Sequence, residues 1–415
     1  MRFAFLKGDF FKNSLVVITG TILAQSINLV SLPFLARLYT PVDFGLLALF
    51  MAVSSIVATG ITLRYEAHIV VAESDGEAQG LAKLALFFGL ILGVGISILL
   101  WLTPASVKAM IGISDVEALI PFVGLSGFMG AVIAVTSSWL NRIKDYKKIA
   151  YSKVVQALGL IIPSFALYYY PIGYSGLITA QIISLVITAL FLSLVLFLTL
   201  TIKQCQVLSS VARQHQAAPK FLLPTALLDV ITMQLPVILI TAWFGSGMAG
   251  QFSIAWKVLA MPSALVGVAV GQVFFQQFSK YWQENRTAAK KLLIKTWHIL
   301  ALAGFLPMLA FLFWGESIFV FVFGNEWAES GKIASVIVLM LYVKFVSSPT
   351  SSSYITLGLQ SYSLIFGLSV LLYRPICFFI GYVYDSIYVG LIILVIIEIA
   401  QISIYQMIAF RKASQ

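Results

Sequence analysis

Charge is scarce in this chain. Of 415 residues only 10% are charged, against about 25% in an ordinary soluble domain. Histidine and cysteine are scarcer. His68, His215 and His298 are scattered, and Cys205 and Cys377 fall in different segments. Neither residue type shows a metal-ligand spacing, and two isolated cysteines make no disulfide framework. A Gly-rich Walker loop is missing too, which excludes an ATPase cassette within the chain. Alternating apolar and polar residues, the mark of an outer-membrane barrel, are absent. No cofactor, metal or enzymatic activity is expected.

What is present is apolar. Hydrophobic residues make up 60% of the chain, and the mean hydropathy is +0.99. The apolar runs are continuous, which points to an all-α polytopic membrane protein. The net charge of +10 reads as the basic bias of cytoplasmic loops rather than as a nucleic-acid surface. The N-terminus, MRFAFLKGDFFKN, is short, basic and aromatic. It reads as an interfacial segment before a retained helix, because the run from Asn13 to Ala36 is long enough to span.

A span needs about 20 mostly apolar residues. Twelve stretches qualify: 13–36, 43–63, 81–103, 118–140, 149–170, 174–200, 222–243, 251–275, 293–315, 333–356, 362–382 and 387–409. An even number puts both termini on one side. That side holds twenty lysines and arginines, and the other only Arg37, Lys108 and Lys332. The imbalance places both termini in the cytoplasm. The longest loops, 201–221 and 276–292, are too short for a catalytic domain.

The loop 201–221 divides six spans from six. The domains expected are an N-terminal lobe, 1–204, a cytoplasmic linker, 205–221, and a C-terminal lobe, 222–415. Each half opens on a proline-bearing helix, with Pro33 and Pro236, followed by a glycine-containing turn and a Phe-led helix, DFGLLAL and GQFSIAW. Two halves of matching orientation suit parallel repeats, the arrangement of many alternating-access transporters. Prolines also occur in membrane helices without such a role.

Four motifs carry a family resemblance. RLYTPVDFGLLALF follows the first span, LRYEAHIVVAESDGEAQGLAKL closes the second, VFGNEWAESGKIASVIVLM leads into the tenth, and SSPTSSSYITLGLQ ends it. In this order they resemble the signatures of polysaccharide repeat-unit flippases. These are the O-antigen and capsule translocases of the multidrug/oligosaccharidyl-lipid/polysaccharide exporter superfamily. Ser330 stands where that family commonly has alanine. The resemblance covers nearly the whole chain. It implies two six-helix lobes in a V around a central cavity, and a substrate oligosaccharide on an undecaprenyl pyrophosphate carrier. A polysaccharide polymerase and a chain-length regulator are implied partners, with H⁺ or Na⁺ as a counter-ion.

The chemistry of such a substrate is demanding. Sugars and phosphates cannot cross about 30 Å of hydrocarbon bare. A protein that moves them needs cations for the phosphates and aromatic faces for the sugars. Five ionisable residues lie well inside the spans: Asp229, Lys257, Lys344, Arg374 and Glu398. Intramembrane charges are costly and face the protein interior or a water-filled space. Arg374 and Glu398 fall at nearly the same depth on the last hairpin, so a structural ion pair is one reading of them. Asp229 and Lys257 sit at depths mismatched by roughly 12 Å. Lys344, in VLMLYVKFVSSP, lies close to the bilayer centre with no acid evident at its depth. A lysine there costs about 2.5–3.5 kcal/mol. Lys344, Arg374, Lys257 and Arg64 are the expected contacts for pyrophosphate and sugar. Asp229, Glu398 and Glu66 are the expected ion-coupling groups. The alternative for Lys344 is a pair with Asp229 or Glu398. Arg64 and Glu66 also read as an interfacial pair, and His68 as a bland interfacial residue.

The reading is an inner-membrane flippase for a lipid-linked oligosaccharide. A multidrug extruder of the same fold is one rival, and a polysaccharide polymerase or ligase is another. The topology has a direct test. A reporter active only outside the membrane, fused after Gln415, should stay silent, and strong activity there would overturn the arrangement of spans.

Overall fold

A helix satisfies its own backbone hydrogen bonds, which is why long apolar runs in lipid adopt it. The computed structural model describes residues 9–104, 120–170, 175–199 and 208–414, and these are helical with short turns and no strand. Residues 1–8 of the expected interfacial segment, the loop with Lys108, Cys205 and the first part of the 205–221 linker lie outside the described residues, while the rest of that segment, from Asp9, belongs to α1. The helices are α1 (Asp9–Leu38), α2 (Pro41–Ile61), α3 (Asp75–Leu102), α4 (Ile120–Arg142), α5 (Tyr146–Tyr169), α6 (Gly176–Thr199) and the short α7 (Leu208–Gln214). Then come α8 (Leu223–Glu284), α9 (Arg286–Phe323), α10 (Ala328–Ser347), the one-turn α11 (Ser353–Thr356), α12 (Gln360–Val383) and α13 (Ile387–Ser414). A 3₁₀ turn, Tyr65–His68, lies between α2 and α3, and a π turn, Ala218–Leu222, leads into α8.

Polar residues set the helix starts. Ser74 caps α3 by accepting from the backbone N–H of Glu77, Asp145 caps α5 through Lys148, and Asn285 caps α9 through Ala288. Each cap satisfies a donor that the first helical turn leaves free.

Eleven helical stretches among the described residues are long and apolar enough to cross a membrane. The difference from twelve is local. Spans expected at 222–243 and 251–275 both lie in α8, two helical segments that join at a kink at Gly245, where φ is 86° and ψ 164°. The apolar stretch from the π turn into α8, Ala218–Ser263, runs 46 residues, long enough for two crossings on either side of the kink. One glycine, free to take a positive φ, thus replaces the loop expected there. Similarly, the loop expected at 276–292 is helix on both sides of Asn285.

By packing, the chain divides into two units. The first comprises Met1–Tyr39 and Leu46–Gln234, the second Thr40–Gly45 and Leu235–Gln415. Against the linker expected at 205–221, this packing boundary falls within α8. In the first unit α1 packs on α5, α3 on α4, and α6 on α4 and α5, with α7 against α3. In the second, α10 packs on α9 and on α13, and α12 pairs with α13.

Only α2 and α8 contribute residues to both units. Within the second unit they meet through glycine. A Cβ on Gly45 would lie 1.7 Å from the carbonyl oxygen of Ser246, and one on Gly250 would lie 1.8 Å from that of Pro41. Backbone on both sides leaves nothing that can yield. Beside them Phe44 packs edge-on against the buried Trp327, ring centroids 5.2 Å apart. Gly250→Ala should therefore lower the thermal unfolding midpoint of the purified protein, by an overpacking cost of about 1–3 kcal/mol. Gly247→Ala, where a Cβ meets only the Val42 side chain at 3.6 Å, should stay within about 0.5 kcal/mol.

Candidate functional site

The α12–α13 hairpin places Arg374 nine residues before Val383 and Glu398 eleven after Ile387. At 1.5 Å per residue these are depths of about 14 and 16 Å, so the two side chains meet. Arg374 donates to Glu398 Oε1 from Nε at 3.0 Å and from Nη2 at 2.6 Å. The packing of α10 on α13 adds Lys344, whose Nζ lies 2.8 Å from Glu398 Oε2. One carboxylate thus holds two cations, one on each oxygen. Glu398 is 3% exposed and Arg374 8%, while the Lys344 side chain keeps 28% of its surface.

This arrangement corrects one expectation. An acid does lie at the depth of Lys344. It is carried on α13, a helix distant in sequence, rather than on the preceding span. Of the readings left open, the structure shows Lys344 paired with Glu398 and Arg374 paired with the same group.

Neutral side chains support the cluster. The Lys344 ammonium stands 5.4 Å from the ring centroid of Trp256, a cation–π geometry. Tyr373 donates to Gln401 Oε1 at 2.7 Å, and Gln401 Nε2 donates to the Phe366 carbonyl and to Ser369 Oγ. Gln401 lies one turn beyond Glu398 on α13, so this network fixes the rotation of both helices. Neither Trp256 nor Gln401 stands out in the sequence. Both are uncharged residues in apolar runs, and only folding brings them to the cations.

The remaining expected residues are dispersed. Lys257 is exposed and makes no ion pair among the described residues. It follows Trp256 directly on α8 but turns away from that helix's packed face, where Leu259, Pro262 and Val266 line an apolar cavity of about 200 Å³ with Pro307 and Phe345. Asp229 belongs to the first unit, is exposed, and makes no ion pair among the described residues. Arg64 Nη1 pairs with Glu66 Oε1 at 3.0 Å, also in the first unit. Glu66 is 4% exposed, and its other oxygen has no hydrogen-bond partner among the described residues.

With this geometry in hand, the fold defines a class. Over nearly its full length the chain has the fold of multidrug/oligosaccharidyl-lipid/polysaccharide (MOP) superfamily transporters, and it is a multi-pass membrane protein. The lipid II flippase MurJ in an inward closed conformation matches with a TM-score of 0.74 at 16% identity, over 97% of this chain and 90% of that one. An inward-facing MATE-family multidrug resistance transporter matches at 0.64 and 17% identity, over 96% of each chain. A MOP superfamily transporter from Pyrococcus furiosus, described as having a binding pocket of reverse polarity, matches at 0.64 and 16%, over 99% and 97%. No curated protein matches. The chain belongs to the polysaccharide biosynthesis protein family, whose model matches residues 34–332.

The cluster predicts an order of stabilities. Glu398→Gln leaves two cations facing each other in a buried place and should cost about 3–5 kcal/mol. Lys344→Met should cost less, because Arg374 still neutralises the carboxylate. Thermal unfolding of the purified variants measures both.

Proposed function

We propose that this protein is a flippase that moves undecaprenyl-pyrophosphate-linked oligosaccharide from the cytoplasmic to the outer leaflet by alternating access. The product would feed the assembly of an O-antigen, capsule or exopolysaccharide. The membrane would be the bacterial plasma membrane, with both termini cytoplasmic. A polysaccharide polymerase and a chain-length regulator are the partners that pathway would supply.

One observation carries the reading: cationic charge exceeds acidic charge at mid-span depth in the second unit. Lys257, Lys344 and Arg374 stand against Glu398 alone. Glu398 is engaged on both oxygens, which leaves the exposed Lys257 unbalanced. An ammonium that far along a spanning helix cannot face hydrocarbon cheaply, so it looks into a polar space. A diphosphate is the anion such a space suits. Lys344, part-exposed and steadied by Trp256, would contact it with Lys257. Arg374 would act mainly by holding Glu398, and Arg64 would act from the first unit. A multidrug extruder of this fold would need an acid open to a cationic drug; in the second unit Glu398 is engaged by two cations, and the open acid, Asp229, lies in the first unit. For a polymerase or ligase, no loop among the described residues is long enough to hold a donor and an acceptor.

Coupling, if the transport is uphill, falls to Asp229 more readily than to Glu398. A proton or Na⁺ site was expected at a carboxylate lacking a full partner, and Glu398 has two. Glu66, with one oxygen unpartnered, is the other candidate.

Flipping is measured on proteoliposomes loaded with the lipid-linked oligosaccharide, scored by accessibility of the sugar to an external lectin. Lys257→Ala and Lys344→Ala should each lose at least about tenfold in rate, worth about 1.4 kcal/mol, while the protein still inserts. Lys344→Arg should retain part of the rate. The charge exchange Lys344→Glu with Glu398→Lys, which sets a lysine against Arg374, should not restore flipping. Full flipping by that double variant would show that Lys344 serves the ion pair alone.

A further inference from the structure

At the end of the first unit that carries the Tyr65–His68 turn lies a row of side chains unconnected with the mid-span cluster. His68 Nδ1 and His215 Nδ1 stand 2.8 Å apart. On the far side of the same ring, His215 Nε2 lies 2.5 Å from Glu77 Oε1. That oxygen also accepts from Gln214 Nε2 at 3.0 Å, and the other Glu77 oxygen accepts the backbone N–H of Glu73 at 2.9 Å. Glu77 is 3% exposed. The charged groups around the histidines are Arg64 and Glu66 on the same turn, Asp75 and Glu77 at the start of α3, and Arg142 at the end of α4. Arg213 and Lys220, both exposed, lie on the segment that carries His215.

Two ring nitrogens at this distance need one hydrogen between them, one ring donating and the other accepting. Both rings can be neutral, or one can be charged, and the contact survives. When both are charged, N–H faces N–H and the contact cannot form. The pair is therefore limited in the protons it can hold.

The place of this pair in the chain gives that limit a consequence. His68 ends the turn that follows α2, and His215 precedes the π turn that opens α8. These are the two helices whose residues are shared between the units. Their paired ends also approach at Gly60, where a Cβ would lie 3.6 Å from Leu227. The turn itself is held under strain. Leu63 and Arg64, neither of them glycine, have φ of 49° and 61°, a left-handed conformation that residues with a Cβ rarely adopt. Arg142 Nη1 fastens the far side by donating to the carbonyls of Ile69 and Ala72.

We infer that His68, His215 and Glu77 form a proton-binding clasp that ties the turn after α2 to the segment entering α8, and that protonating both imidazoles releases it. The sign agrees with the surroundings of His68. Burial, and then the neighbouring His215, hold its proton affinity below that of a free imidazole, with Glu66 opposing them. The clasped form thus binds fewer protons than the released one, in which His68 regains its ordinary affinity. The clasp holds above the His68 range and opens as pH falls through it.

The chain has three histidines, so ¹³Cε1-histidine NMR of the full-length protein in nanodiscs resolves each. His68 should titrate below a free histidine, measured on N-acetyl-histidine amide in the same buffer, and in His215→Gln its transition should move up toward that of the free group. Hydrogen exchange in peptides covering 208–216, corrected for the intrinsic pH dependence, should rise in acid by about tenfold per pH unit in the wild type. That rise should be absent in His68→Gln. His68 titrating together with the free histidine in the wild type would overturn the clasp. An acid step in exchange that persists in both His68→Gln and His215→Gln would do the same.

Discussion

Hydrocarbon offers no hydrogen-bond partner, and that deficiency governs every element of this chain. A segment that lies in lipid must satisfy its own backbone, so it is helical from one side to the other. The same deficiency forbids an unbalanced side-chain charge unless another group or water meets it. Long helices, few charges and a paired cluster are three results of one constraint. Polar capping residues, Ser74, Asp145 and Asn285, appear where helices begin.

The cluster at Glu398 shows how a charge can be kept in such a place. Neither Lys344 nor Arg374 would be tolerated alone at its depth. A shared carboxylate lets them lie together, and the hairpin of α12 and α13, with α10 against it, makes the sharing geometric rather than statistical. Such a cluster is mildly cationic as a whole. The apolar cavity by Pro262 and Pro307 lies on the other face of α8 from Lys257 and shares none of this chemistry.

Much was legible in the sequence because its causes are local. Apolar runs of span length became helices, and the near-equal spacing of Arg374 and Glu398 from one turn offered their meeting as one reading, since a hairpin maps sequence distance onto depth. The pairing of Lys344 was not legible. Its acid lies 54 positions away on α13, and nothing in either helix marks them as neighbours. The turn between the seventh and eighth spans was legible as a break but not in form. A single residue, Gly245, does there what a loop was expected to do. His68, read as a bland interfacial residue, lies 147 positions from the histidine it meets. Two lone histidines at such a separation carry no pattern.

By itself the sequence determined the class of solvent, the helical state, the number of long apolar stretches to within one, and the family, through motifs of which the first two lie within residues 34–332 that the family model matches. Those properties depend on composition and on neighbours within a few turns. The tertiary structure alone decided which charges are satisfied and which stay open: Lys344 on Glu398, Lys257 without an ion pair among the described residues, His215 between Glu77 and His68. Pairing across helices depends on their rotation and register, and both are set by packing contacts such as Gly250 on Pro41 and Gln401 on Ser369. Such contacts join residues that hydropathy and spacing treat as unrelated.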